Sequence, residues 1–153
     1  MDLNYFNKVR ILDGGMGQEL LSNGLISKGT LWSSTALLEE KYHKLVVDTH
    51  LSFINSGADV IITNNFSSRR QRLIQNNIEN KFNYLNKKAG ELAVQARDIS
   101  KKNILIGGGL PGQNDTYVPD KRKINLIKKD FYDQANIIKS YVDFFYLDVV
   151  SSS

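Results

Sequence analysis

Four short apolar runs, separated by segments of helical periodicity, constrain this chain more than any other feature. They are Val9 to Leu12, Asp59 to Thr63, Ile104 to Ile106 and Phe144 to Leu147. Each is nearly continuous rather than alternating, the pattern of strands covered on both faces, as in parallel sheets. Between them apolar residues recur at helical spacing. One set is Leu38, Tyr42, Leu45, Val46, Thr49 and Phe53, the next Leu85, Ala89, Leu92, Ala93, Ala96 and Ile99, and the last Ile127, Phe131, Ala135 and Ile138. Strand and helix in alternation predict βα units in an α/β fold. There is also a faint internal echo: Asp59 and Asp143 each lead a helix into a strand.

The loops after the first three strands are long and rich in Gly, Asn, Ser and Pro, whereas the turns before each strand are short. That asymmetry favours a (β/α) barrel with its chemistry at the C-terminal strand ends, and a doubly wound open sheet is the competing architecture. Four strands are half of an eight-stranded barrel. The expected fold is therefore a partial (β/α)8 TIM barrel of about four βα units, with apolar outer edges that favour association.

The first strand runs into Asp13-Gly14-Gly15-Met16-Gly17. Glycines there let the backbone approach a small ligand and present its N–H groups, and Asp13 would stand at the strand's C-terminal end. Gly107-Gly108-Gly109 is expected as a loop after the third strand, but no lysine or serine follows at the spacing a phosphate loop needs. The basic spots at Arg69-Arg70-Gln71-Arg72, Lys121-Arg122-Lys123 and Lys128-Lys129 read as solvated helix ends and loops. No aromatics are interleaved with them, so nucleic acid is not an expected partner. No run approaches the about 18 apolar residues of a membrane span, and the N-terminus lacks the pattern of a secretory signal. A cytoplasmic location is expected. The 153 residues contain no cysteine, so this chain has neither disulfides nor thiolate metal ligands. His43 and His50, seven residues apart on one helix face, are the remaining good zinc ligands, and outer helices lie far from a barrel's active rim.

Five blocks in order resemble the homocysteine S-methyltransferase family, zinc-dependent barrel enzymes that methylate homocysteine to methionine. Leu12-Asp13-Gly14-Gly15-Met16-Gly17-Gln18-Glu19-Leu20 is similar to the family's opening LDGGMGTEL. Leu31-Trp32-Ser33-Ser34 with Ala36-Leu37-Leu38 resembles its second block, and Ser56 to Phe66 resembles GADVITTNTF. The helix Leu85 to Arg97 and the loop Gly107 to Asp120 complete the set. The resemblance covers roughly residues 9 to 150 and the first half of a family domain, so residues 1–153 are expected to be the N-terminal half of a homocysteine-binding barrel, a fragment broken at Ser153.

The resemblance implies that Asp13 and the Gly14 and Gly15 backbone lie beside the amino and carboxylate groups of homocysteine. It implies the same site for Asn64, at the end of the second strand, and for Asp148, which stands where the family carries glutamate. Aspartate keeps the charge but shortens the reach by about 1.5 Å. Asn65 replaces a usual threonine, and Tyr141 replaces a helix-ending glycine, which implies a strained turn before the fourth strand. Bound zinc belongs to the intact family, through cysteines of the second barrel half that this chain does not contain. No catalytic residue and no cofactor are expected here. The implied partners are homocysteine, a methyl donor of sulfonium, betaine or folate type, and either a complementing C-terminal half or a second copy. Two other readings stand beside this one. The chain is a non-catalytic module or pseudoenzyme that binds an amino acid or a partner, or it is another barrel enzyme using Asp13 and Asp148 for acid/base work.

Overall fold

The computed structural model describes residues 2–150. Ser153, where the expected break falls, lies outside the described residues. Three parallel strands form one sheet in the order β1 (Val60–Ile62), β2 (Leu105–Pro111), β3 (Phe144–Asp148). Sequential order without reversal is the order a partial barrel requires. Six helices connect and flank the strands: α1 (Met16–Ser22), α2 (Thr35–Leu38), α3 (His43–Asn55), α4 (Arg70–Gln75), α5 (Phe82–Ser100) and α6 (Ile124–Ile138).

The first expected strand is reduced to a single parallel bridge, Leu12 to Val60. Val9 is 93% exposed and Ile11 58%, because this segment is the outermost of the sheet and only its inner side is paired. The amide of Ile11 donates to the Asp59 carboxylate at 3.0 Å rather than to a backbone carbonyl, and the Asp59 amide returns a bond to the Ile11 carbonyl at 2.8 Å. Asp143 does the same to Ile106, receiving its amide at 2.8 Å and donating to its carbonyl at 2.8 Å. The aspartate echo in the sequence is thus a pair of equivalent clamps. Each fixes one helix-to-strand entry against the neighbouring strand and so sets the register.

The expected glycine loop is a correction: Gly107, Gly108 and Gly109 lie inside β2 and pair with Phe144, Phe145 and Tyr146. The reason is packing. A Cβ on Gly107 would come within 2.6 Å of the Ile62 side chain, and one on Gly108 within 2.9 Å of Ile138. Bare backbone lets large neighbours close over both faces of the central strand. Gly57, at φ +108°, ends α3 in a conformation that side chains resist.

Helices α3 and α5 pack their apolar faces together. Val46, Val47 and Ile54 meet a core that includes Leu85, Ala89, Leu92, Ala93 and Ala96, whereas Ile99 is 53% exposed, against expectation. The buried stripe of α6 is also not the expected apolar one, for it carries Asp130 and Gln134 beside Ile138. Asp130 is bound by Arg70 at 2.9 Å and by Arg122 at 2.6 Å, so the helix docks through charge. The Arg69-Arg70-Arg72 cluster is accordingly no solvated helix end. Arg69 is fully buried, its guanidinium 5.0 Å from the centre of the Phe66 ring, and burial brings its pKa down to about 10.

Tyr141 is not strained. It has no positive φ, its amide reaches the Ile138 carbonyl at 2.9 Å, and its ring lies on Gly90 of α5. A Cβ at position 90 would stand 2.6 Å from the Tyr141 ring. Gly90→Ala, which ordinarily strengthens a helix, should here lower stability by about 1–3 kcal/mol. Urea unfolding checks this, and adding Tyr141→Ala should remove most of the loss.

Candidate functional site

The chain leaving the first bridged segment, β1 and β3 encloses a cleft of about 300 Å³ at the C-terminal side of the sheet. Its walls include Asp13, Gly14, Gly15, Asn64 and Asp148. All five residues singled out in the sequence therefore face one hollow, although they come from three separate stretches of chain.

Asp13 extends the bridged segment beside β1. Its amide donates to the Val60 carbonyl at 2.9 Å, and its carboxylate accepts the Ile62 amide at 2.9 Å. Burial raises its pKa to about 7, the Ile62 and Asp13 amides oppose that rise, and nearby Asp148 adds to it. Asp148 closes β3 opposite Pro111, and burial raises its pKa as well. Two carboxyl groups that resist ionisation in one small cleft provide a receptor for a positive charge, since a cation restores the solvation that burial removes. Among the described residues the amides of Gly14 and Gly15 find no backbone acceptor. They are available to an anion next to that receptor.

Asn64 is buried, and its amide nitrogen donates to the Ser33 carbonyl at 3.2 Å. That bond ties the end of β1 to the turn carrying Trp32, which also lines the cleft and adopts φ 47°. A bulky residue in the left-handed region is uncommon. It is held there by close packing on α1, where a Cβ at Gly17 would fall 2.5 Å from the indole ring. Sequence reasoning did not single out Phe66 or Tyr146, which also line the cleft. Tyr146 is two residues from Asp148 along β3 and so shares its face, a periodicity that was available to find it.

The residues present do not fit a zinc ion. The chain has no cysteine, and among the described residues no three His, Asp or Glu side chains converge as a metal site would require. His43 bonds the Leu37 carbonyl through Nε2 at 3.0 Å. His50 is wholly buried, neither ring nitrogen has a protein partner among the described residues, and burial lowers its pKa to about 3. The two do not form a ligand pair. No helix among the described residues is long and apolar enough to cross a membrane.

A family model for homocysteine S-methyltransferase matches residues 10–153. Homocysteine S-methyltransferase 2 of Zea mays is 32% identical over 97 residues, covering 62% of this chain and 28% of that protein. Selenocysteine methyltransferase of Astragalus bisulcatus is 29% identical over 98 residues, or 63% and 28% of the two chains. The metallated form of the homocysteine methyltransferase MmuM from Escherichia coli superposes with a TM-score of 0.80 at 21% identity. It covers 97% of this chain and 57% of that one. The match therefore spans little more than a quarter of the curated relatives' length and somewhat over half of the solved structure.

A carboxyl with a folded pKa of about 7 and an unfolded value near 3.8 binds more protons folded than unfolded between those two values. Its contribution to stability is therefore lost as pH rises from about 4 to 7. Asp13→Asn, which keeps an acceptor for Ile62, should stabilise the chain by on the order of 1–3 kcal/mol at pH 8 and far less at pH 5. Urea titrations at the two pH values test this.

Proposed function

From the premise that this chain belongs to the homocysteine S-methyltransferase family, matched over residues 10–153, we propose that its cleft grips the amino-acid end of homocysteine. In this reading residues 1–153 are the N-terminal half of a homocysteine-binding (β/α)8 barrel. The whole reaction is transfer of a methyl group from a sulfonium, betaine-type or folate donor to the homocysteine sulfur, giving methionine. A sulfur–carbon bond forms, the donor's bond to that carbon breaks, and the thiol proton is released. Zinc activates the thiol in such enzymes, and among the described residues no set of side chains converges to hold it.

The residues present divide the work of binding. Asp13 and Asp148 receive the substrate ammonium, the Gly14 and Gly15 amides receive its carboxylate, and Asn64 orients the chain that carries sulfur between them. The observation that carries this reading is the convergence of two burial-perturbed carboxyl groups and two free glycine amides on one cleft of amino-acid size. The expected setting is the cytoplasm, with the remaining barrel strands supplied by a complementing half or a second copy along the apolar outer edge of β3, where Leu147 is 65% exposed.

A second reading is a binding module without transfer, since the groups that line the cleft can hold and orient an amino acid without supplying a reacting atom. Calorimetry of the chain with homocysteine and methionine, with and without zinc, separates the two. Binding unaffected by zinc and without methyl transfer supports the module. Transfer that appears only when a cysteine-bearing barrel half is added supports the enzyme half. No binding of either amino acid defeats both.

The ammonium requires an ionised Asp13, so affinity for homocysteine should rise with pH through about 7. It should be roughly tenfold weaker at pH 6 than at pH 8. Asp13→Asn should weaken binding at least about tenfold and flatten that profile, as read by calorimetry across the pH range.

A further inference from the structure

Beneath the cleft lies a run of buried polar side chains that the proposed binding scheme does not use. Thr63, Asn65, Asn86, Gln113 and Gln134 are each at most 3% exposed. Asn65 is the hub. Its carbonyl oxygen accepts the Thr63 hydroxyl at 2.7 Å, and its amide nitrogen donates to the Asn86 side chain at 3.1 Å and to the Gly109 carbonyl at 3.0 Å. Both N–H donors of that amide are occupied and its oxygen accepts a hydroxyl, which fixes which way it faces. Gln134 of α6 donates to the same Asn86 oxygen at 2.9 Å, and Gln113 donates to Gln134 at 2.9 Å.

The peptide of Gly109 is gripped on both sides, since its amide donates to the Thr63 hydroxyl at 3.0 Å while its carbonyl takes Asn65. The turn is tight as well, the Asn65 amide reaching back to the Thr63 carbonyl at 2.8 Å. Residues 63 and 65 are thus both fastened to β2, and the residue between them has its direction imposed. That residue is Asn64, whose side chain turns the other way, to Ser33 and the cleft.

We propose that Asn65 is a positioning residue that acts through Asn64, fixing the angle at which the Asn64 amide meets a ligand in the cleft. The inference rests on the cleft being the homocysteine site. With one side removed, Asn65→Ala leaves the Gly109 carbonyl and the Asn86 oxygen short of a donor and frees the turn. Gln134→Ala removes a donor to Asn86 and the long 3.5 Å contact to the Asn65 main-chain carbonyl, while leaving the Thr63 and Gly109 bonds of the Asn65 side chain in place.

A double-mutant cycle tests the assignment. Asn65→Ala should weaken homocysteine binding about tenfold, yet have under about a twofold effect in an Asn64→Ala background. Gln134→Ala should lower the melting temperature without moving the affinity. Equal weakening by Asn65→Ala in both backgrounds, or an unchanged affinity, overturns the proposal. In the ligand-free protein, the Asn64 side-chain amide should give distinct proton–nitrogen signals that shift and exchange faster on Asn65→Ala and stay put on Gln134→Ala. Unmoved signals overturn the proposal whether or not homocysteine binds. Absence of binding by the unmodified chain, with the signals behaving as expected, defeats the ligand assignment and leaves the positioning of Asn64 standing.

Discussion

Two aspartates at equivalent places, Asp59 and Asp143, do the work on which the rest of the architecture depends. Each takes an amide from the preceding parallel strand and returns its own to the same residue's carbonyl. A parallel ladder has no hairpin to set its register, so a slip of one residue would turn every side chain to the wrong face. The clamps remove that freedom at the N-terminal edge. Because the strands are held in register where they begin, the residues that follow Leu12 and Ile62 and those that close β3 meet in one hollow. The placement of Asp13, Asn64 and Asp148 is in this sense decided at the opposite end of the sheet.

Charge and polarity hold together what apolar packing does not. The α3–α5 side of the molecule is a conventional greasy contact, whereas α6 docks through Asp130 and Gln134. Arg70 reaches Glu79, Asp130 and Asp133 at 3.0, 2.9 and 2.7 Å, and its guanidinium lies 4.3 Å from the centre of the Phe82 ring. Buried polar contacts are directional in a way that hydrocarbon contacts are not, so they define one seating for the helix. Polar contact also explains why Arg69 can be enclosed with only a distant carboxylate, Asp115 at 4.0 Å: the Phe66 ring and carbonyl and the Thr116 hydroxyl take its place.

Much of this was legible in the residues. Three of the four strands and the long α5 face follow from apolar runs, and the family resemblance implied the convergence of Asp13, Gly14, Gly15, Asn64 and Asp148. The failures share a cause. Gly107 to Gly109 reads as a loop because glycine is a poor strand former, but here it is selected by the bulk of Ile62, Phe144 and Ile138 on either face. The arginine cluster and α6 mislead for a related reason, since their partners are remote in sequence and periodicity cannot register a charge 60 residues away. The turn at Tyr141 is relaxed because Gly90, far upstream, makes room for the ring. Local pattern located the elements; the identity of what packs against them required the fold.

The contact between Gly17 and Trp32 has one more consequence. The chain contains a single tryptophan, and it sits in the wall of the cleft with its indole pressed on the first helix. Fluorescence excited selectively at tryptophan is therefore not an average over the molecule but a local optical gauge of the cleft wall and of its packing on α1.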